Sequence, residues 1–564
     1  MNQCKVSLLA VAGVFALVLL CTASFAQEIT GLDNAAVAAA DLAINEQALR
    51  GHIRFLASDL LEGRGPGSRG DELAQQYVAA QFESHGLKPA APGGGWFQQV
   101  PLVGVTAHIP AEVTFRHDRQ SLELKRHADY EFASGNAKPE VAIENAEIVF
   151  VGYGIEAPEF QWDDFKGADL RGKILLMMNN DPESDPSLFA GKRRLYYGRW
   201  DYKYASAARQ GAVGAILIHT TPSAGYPFQV VQNSYSGERF ELEEATGPRL
   251  PVKGWLTEDA SRLVATLAGQ DLDKLRAAAE RRDFKPVSLG VRLSVAFSCD
   301  VRKKQTANVL GLLPGSDPML AREAVVFMAH HDHLGLAAER DAAGDNIYNG
   351  AVDNASGTAA LLTIARACAS LLKRPRRSIL FAAVGAEEQG LAGSQYFAEH
   401  PPIAAGNLAA VMNIDGLNIL GPTRDVNLIS HGKSDLDALV EKFAQSQNRV
   451  VTPDQFPDRG SYYRSDQFSL AKIGVPGVYL HSGVNVIGKP DGWGRQKIEE
   501  WTQNRYHRPD DEYDESWDLR GAVEDVRLVY YVGLQVAEQP EMPRWKSGDE
   551  FEAARKAAIK AVKE

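Results

Sequence analysis

The sequence predicts an α/β protein: a doubly wound, mostly parallel sheet domain with a smaller, mainly β insert. Three observations lead there. In the second half, short apolar runs alternate with amphipathic helical stretches, as strands and helices do in a sheet covered on both faces. Three of those runs end on histidine or carboxylate residues, and open α/β sheets bind ligands outside the carboxyl ends of their strands. A block over residues 137–283 interrupts the alternation and carries no comparable polar set.

From the N-terminus, residues 1–26 read as a secretory signal. Lys5 supplies positive charge, Leu8 to Leu20 the apolar stretch, and Ser24-Phe25-Ala26 a small-x-small cleavage site. Cys21 hints at lipidation, but the large Leu20 before it departs from that signal. No later run approaches a membrane span, so the mature chain is expected to be exported, periplasmic or extracellular, without a stable span. Residues 27–136 form the first part of the main domain, with helices over 44–90.

The block 137–283 starts with strands at Ala146 to Gly154 and Asp169 to Met177. A helix over Lys203 to Ala212 and a strand from Val213 to His219 follow. The main domain resumes over 284–540, with its first strand at Thr306 to Leu313. A polar, Trp-containing stretch over 483–505 is placed to cap a pocket. Residues 541–564 read as a charged, solvated helical tail.

The chemistry lies at the strand ends. Ala324 to Ala329 is an apolar strand followed by His330-His331-Asp332-His333. Residues i and i+2 of an extended segment point the same way, so Asp332 is expected to steady His330 or another ligand. His331 and His333 prevent composition alone from choosing the ligand. Asp353 precedes a helix whose apolar stripe is Leu361, Ala365, Cys368 and Leu372, and it is the candidate bridging carboxylate. Ser378 to Gly385 ends at Glu387-Glu388, where one acid can bind metal and the other meet a metal-held water. Leu408 to Ile414 ends at Asp415. Any one of these acids alone would read as a solvated loop residue. The ordered set is what paired metals require: a bridging carboxylate and private His or acid ligands.

This set resembles the co-catalytic di-zinc aminopeptidases of the MH clan, which include glutamate carboxypeptidase II and the non-catalytic transferrin receptor. The resemblance covers most of the mature chain. It implies that one zinc takes His330, Asp415 and Asp353, and a second takes Glu388, His507 and Asp353. It makes Glu387 the general base, with Asp332 in support. His507 is preferred to His481 because Tyr506 to Tyr513 is similar to the family's aromatic-His-x-Pro-x-Asp pattern. Tyr506 resembles the residue that steadies the oxyanion. Ser465-Asp466-Gln467 lies where the family carries Ser-Asp-His or Ser-Asp-Tyr, and Gln467 departs from it. Arg464 and Asp466 are the expected substrate contacts. The 137–283 block resembles a protease-associated domain.

The implied protein is an exported aminopeptidase with two zinc ions per chain. It would hydrolyse peptides that have a free N-terminus through a metal-bridging hydroxide. The formal net charge of -12 argues against nucleic acid as a partner. Cys299 and Cys368 remain after cleavage, and an oxidising compartment would permit a bridge. Two alternatives stay open: a glutaminyl cyclase-like acyltransferase with one zinc, and a receptor-like protein with a degenerate site. The preferred N-terminal residue and the oligomeric state are not legible.

Overall fold

A computed structural model describes residues 29–564, except residues 30, 186–187, 236, 245–246, 338 and 341–343. The expected signal, residues 1–26, lies outside the described residues. At the centre four strands run parallel in the order Ser378–Val384, Ala324–His330, Leu408–Asn413 and Gly477–His481. Every residue of the first three is buried. That is why they read as unbroken apolar runs rather than alternating ones. Antiparallel strands flank this group, with Val287–Leu313 and Phe97–Ala107 on one side and Asp425–Leu428 on the other.

Helices Arg69–Ser84, Gly357–Ala369 and Arg520–Glu538 contribute to the largest apolar core, with Phe327 and Phe381 from the strands. Phe397 and Leu470, from helices Ala392–Glu399 and Gln467–Lys472, pack with Val326 and Leu380. The sheet is therefore covered on both faces, as the sequence predicts.

A second sheet takes a different route through the chain. It joins Glu140–Phe150, Ile174–Met178, Gly214–His219 and Val252–Thr257 to Glu112–His117, Gln120–Lys125 and Tyr130–Ser134. This sheet extends past residues 137–283 at both ends. One 27-residue strand, Val287–Leu313, explains the discrepancy. Its first half pairs with Glu140–Phe150 in the second sheet, and its second half pairs with Phe97–Ala107 and Ser378–Val384 in the central one. Conversely, Glu238–Leu242 falls inside the 137–283 block but pairs with Phe97–Ala107 of the central sheet.

Three local expectations change. The helix with the Leu361 stripe ends at Ala369, and Leu372 lies beyond it at 92% exposure. The tail helix Glu552–Ala561 is docked rather than wholly solvated: Arg555 is buried and donates to the Ala405 and Leu408 carbonyls. Cys299 and Cys368 are both buried free thiols, so no bridge joins them.

Candidate metal centre

Strand register brings the acidic and histidine residues together. His330 is opposite Val384, Met328 opposite Asn413, and Asn413 opposite Tyr479. The four parallel strands thus end nearly level, and the loops that follow them start from one edge. His330 closes its strand, Glu387 and Glu388 lie three and four residues past Val384, and Asp415 lies two past Asn413. Asp353 comes from the loop before helix Gly357–Ala369. The Asn354 side chain ties that loop to the neighbouring strand end, accepting from Gly357 and Gly416 and donating to the Ile414 carbonyl. The Asp353–Asn354 peptide is cis. Gly350 has φ +55, and an added Cβ would lie 2.3 Å from the Asp353 carbonyl and 2.5 Å from the His333 ring. Only glycine fits there.

Asp353 sits between two histidines. Its Oδ1 is 3.3 Å from His330 Nε2, and its Oδ2 is 3.4 Å from His507 Nε2. Asp415 Oδ1 also lies 3.3 Å from His330 Nε2. Glu388 Oε2 lies 3.0 Å from His507 Nε2. His330, Asp353, Glu388, Asp415 and His507 thus converge, with Asp353 between the two histidines. Glu387 stands nearer the first group, with its Oε2 4.0 Å from His330 Nε2.

Ligand atoms of His330, Glu387 and Asp415 lie within 4.8 Å of one another, as do those of His333, Asp353 and Glu388. Four carboxylates gathered in a largely buried site need cations to offset them. Burial opposes charge on the His507 ring, yet Glu388 and Asp353 hold its pKa up to about 10. Burial drives the Glu387 carboxyl well above the usual range; His330 opposes this, while Glu388 and Asp415 add to it. His507 Nε2 is buried without a hydrogen bond. The donor set fits a pair of metal ions that take nitrogen and carboxylate oxygen.

The supports differ in part from expectation. Asp332 does not pair closely with the His330 ring: its Oδ1 is 3.7 Å from His330 Nδ1, which lies nearer the Asp332 carbonyl at 3.3 Å. Instead the Asp332 carboxylate accepts the Glu387 N–H at 3.0 Å and the Glu388 N–H at 3.4 Å, fixing the acid pair through the backbone. His333, which the sequence offered only as a confusing neighbour, meets Glu388 Oε1 at 2.6 Å. Asp511 accepts the N–H groups of Val352 and Asp353. Arg64 is fully buried and donates to the Leu56, His331, Asn349 and Gly350 carbonyls. The final Asp of the aromatic-His-x-Pro-x-Asp pattern was the available signal for Asp511. Arg64 had none beyond its place in the lead-in.

A cavity of about 250 Å³ opens on this centre. Its lining includes the acids Asp353, Glu387, Glu388 and Asp415, the cations Arg459 and Lys497, and the apolar Leu417, Ile419, Leu420, Phe456, Ile498 and Trp501. The last two belong to helix Trp493–Asn504, so the 483–505 stretch walls the cavity. Arg464 and Tyr506 also line it, and Arg464 Nη2 donates to the Tyr506 hydroxyl at 3.1 Å. Asp466 does not fit the expected substrate contact: it is fully buried and lines no part of this cavity. It follows the turn at Ser461–Tyr463 into helix Gln467–Lys472, which turns it inward. Gln467 accepts from Asn413 and donates to the Tyr462 carbonyl, a packing role. His481 bonds the Tyr479 hydroxyl at 2.8 Å, and that hydroxyl reaches Asp415 Oδ2 at 3.5 Å.

Comparison with known families adds a decisive match: residues 308–531, which carry all five converging residues, fit the model of Peptidase family M28. This region is similar to M28 peptidases, and the match takes in less than half of the chain. Among curated proteins, aminopeptidase NAALADL1 of Rattus norvegicus is 35% identical over 246 residues, 35% of this chain and 31% of that protein. The glutamate carboxypeptidase 2 homolog of Caenorhabditis elegans is 25% identical over 389 residues, 59% of this chain and 46% of that protein. The matches therefore span a third to a half of those relatives. Among solved structures, an aminopeptidase from Aneurinibacillus sp. strain AM-1 aligns at 18% identity with a TM-score of 0.49, covering 89% of this chain and 96% of that one. Within the matched region, the acidic and histidine residues gather at the level ends of the parallel strands. No described helix is long and apolar enough to cross a membrane.

Proposed function

We propose that this protein is an exported metallo-aminopeptidase that uses two zinc ions per chain to release N-terminal residues from peptides. The observation that carries the reading is Asp353, whose two oxygens each face a different histidine, His330 at 3.3 Å and His507 at 3.4 Å. A carboxylate so placed can bridge two ions. His330 and Asp415 would complete one site, Glu388 and His507 the other. When bound, such ions polarise the scissile carbonyl and lower the pKa of the attacking water.

The remaining work falls to the chain. Glu387, its backbone N–H anchored by Asp332, takes a proton from the attacking water and delivers it to the leaving amine. Burial raises its pKa, which favours the uptake of that proton. The Tyr506 hydroxyl accepts its bond from Arg464, which leaves its proton free for the oxyanion, an interaction of about 3 kcal/mol for one donor. The acids at the cavity end attract the substrate's α-ammonium, and the apolar wall accommodates the first side chain. The second sheet resembles a protease-associated domain and closes the site from outside: Asn233 donates to the His507 carbonyl at 2.8 Å.

The test is a panel of aminoacyl-anilides, free dipeptides and N-acetylated dipeptides, assayed before and after zinc is stripped and restored. Zinc-dependent cleavage of unblocked substrates alone is expected. Cleavage of blocked substrates at equal rate would exclude an aminopeptidase. Cyclisation of N-terminal glutamine at about one zinc per chain would favour the glutaminyl cyclase reading instead.

A further inference from the structure

One histidine of the centre takes its support from the other sheet. His507 has φ +56, in the left-handed region, and a residue with a side chain stays there only where its surroundings hold it. Asn233 Nδ2 donates to the His507 carbonyl at 2.8 Å, and Ser234 Oγ stands 3.5 Å from His507 Nδ1. The Asn233 amide is fixed from its other end too, because its Oδ1 accepts from Gln229 at 2.9 Å. His507 Nε2 faces the opposite way, 3.4 Å from Asp353 and 3.0 Å from Glu388. A hold on the carbonyl and the far ring nitrogen therefore aims the near nitrogen at those acids. Such outer contacts orient a ligating imidazole.

The supporting residues lie on helix Phe228–Ser234, which is rooted in the core of the second sheet. Its Val231 packs with Leu217 and Trp255, from strands Gly214–His219 and Val252–Thr257. Gln232 donates to the His127 carbonyl, in the turn that leads into strand Tyr130–Ser134. The helix is thus carried by the second sheet. The other group is built differently: His330 closes a central strand and Asp415 follows one.

We infer that the second sheet is part of the metal centre: Asn233 is a positioning residue for His507, and the seating of helix Phe228–Ser234 is linked to occupancy of the site that Glu388 and His507 would form. Linkage of this kind is reciprocal. Seating the helix strengthens metal binding there, and bound metal steadies the helix. The inference rests on the two-zinc reading above and adds a control on one of its sites. A second sheet lifted from the centre gives up one ion and keeps the other.

The experiment uses the full-length protein and reads zinc affinity and backbone hydrogen exchange. Chelator competition on Asn233→Ala should show one zinc weakened by about 10–100-fold, the range for an outer support of a ligand, and the other unchanged. Asn233→Leu keeps the volume and should do the same, which separates the lost hydrogen bond from lost packing. In the parent, zinc should slow exchange across helix Phe228–Ser234. That zinc-dependent protection should be lost in both variants, whereas a merely structural Asn233 would lower protection equally with and without zinc. Exchange in the central strands reads whether the variants are folded. Unchanged affinity in both variants, equal loss of both ions, or helix exchange that ignores zinc in the parent would overturn this inference alone. A parent that never holds more than one zinc would overturn the two-zinc reading and the inference with it.

Discussion

The Asp511 carboxylate accepts the backbone N–H of Asp353 at 3.1 Å. The residue that joins the two halves of the centre is thus held by a loop from far along the chain. Burial holds the Asp511 carboxyl up at about 6 even though the Asp353 and Val352 N–H groups act to lower it. Asp511→Ala should leave the fold intact and weaken zinc binding about 10–100-fold, the range for an outer support of a ligand. Competition against a chelator of known affinity measures this. Unchanged affinity would mean the loop before helix Gly357–Ala369 holds Asp353 unaided.

Asp353→Ala should release both zinc ions, because each group relies on one of its oxygens. His507→Ala should release one, since His330 and Asp415 lie in the other group. Metal content per chain after gel filtration distinguishes the cases. Two ions retained in Asp353→Ala would end the bridging assignment.

Glu387 and Glu388 are adjacent yet have different neighbours. Glu388 meets His333 and His507, whereas the Glu387 carboxylate stands 4.0 Å from His330. Glu387→Gln should keep zinc and lower turnover at least about 10²-fold, the lower bound for a general base. Glu388→Gln should lose zinc from one site. The opposite pattern of metal content and rate would exchange the two roles.

Arg64 joins the lead-in to both ligand loops through four backbone carbonyls. Arg64→Met keeps much of the volume and leaves those acceptors buried and unpaired. A loss of at least about 3 kcal/mol is expected, since each orphaned buried group costs about 1–3. Denaturant titration reads it directly, and a midpoint equal to that of the parent would show that water replaces the guanidinium.

Export should remove residues 1–26. Sequencing the N-terminus of protein recovered from outside the cytoplasm should begin at Gln27. A lipid-modified Cys21 at the start would indicate anchoring instead.

The amino-acid sequence by itself determined the strands and the candidate ligand residues at their ends. A parallel strand buried on both faces must be apolar throughout, so a His or carboxylate placed just beyond such a run stands out. His330, Glu387, Glu388 and Asp415 were legible for that reason. Asp353 and His507 were legible through motifs. Tertiary structure decided what these residues lean on. Asp332 serves the Glu387 and Glu388 backbone rather than the His330 ring, because the neighbouring strand ends level with its own. Asp466 turns inward because a short helix begins beside it. The limits of the second sheet were hidden because one strand, Val287–Leu313, serves both sheets with no break in its pattern. Arg64 and His333 took their places only through contacts between segments remote in the chain, which depend on how the layers pack, whereas Asp511 had a signal in the pattern that starts at Tyr506.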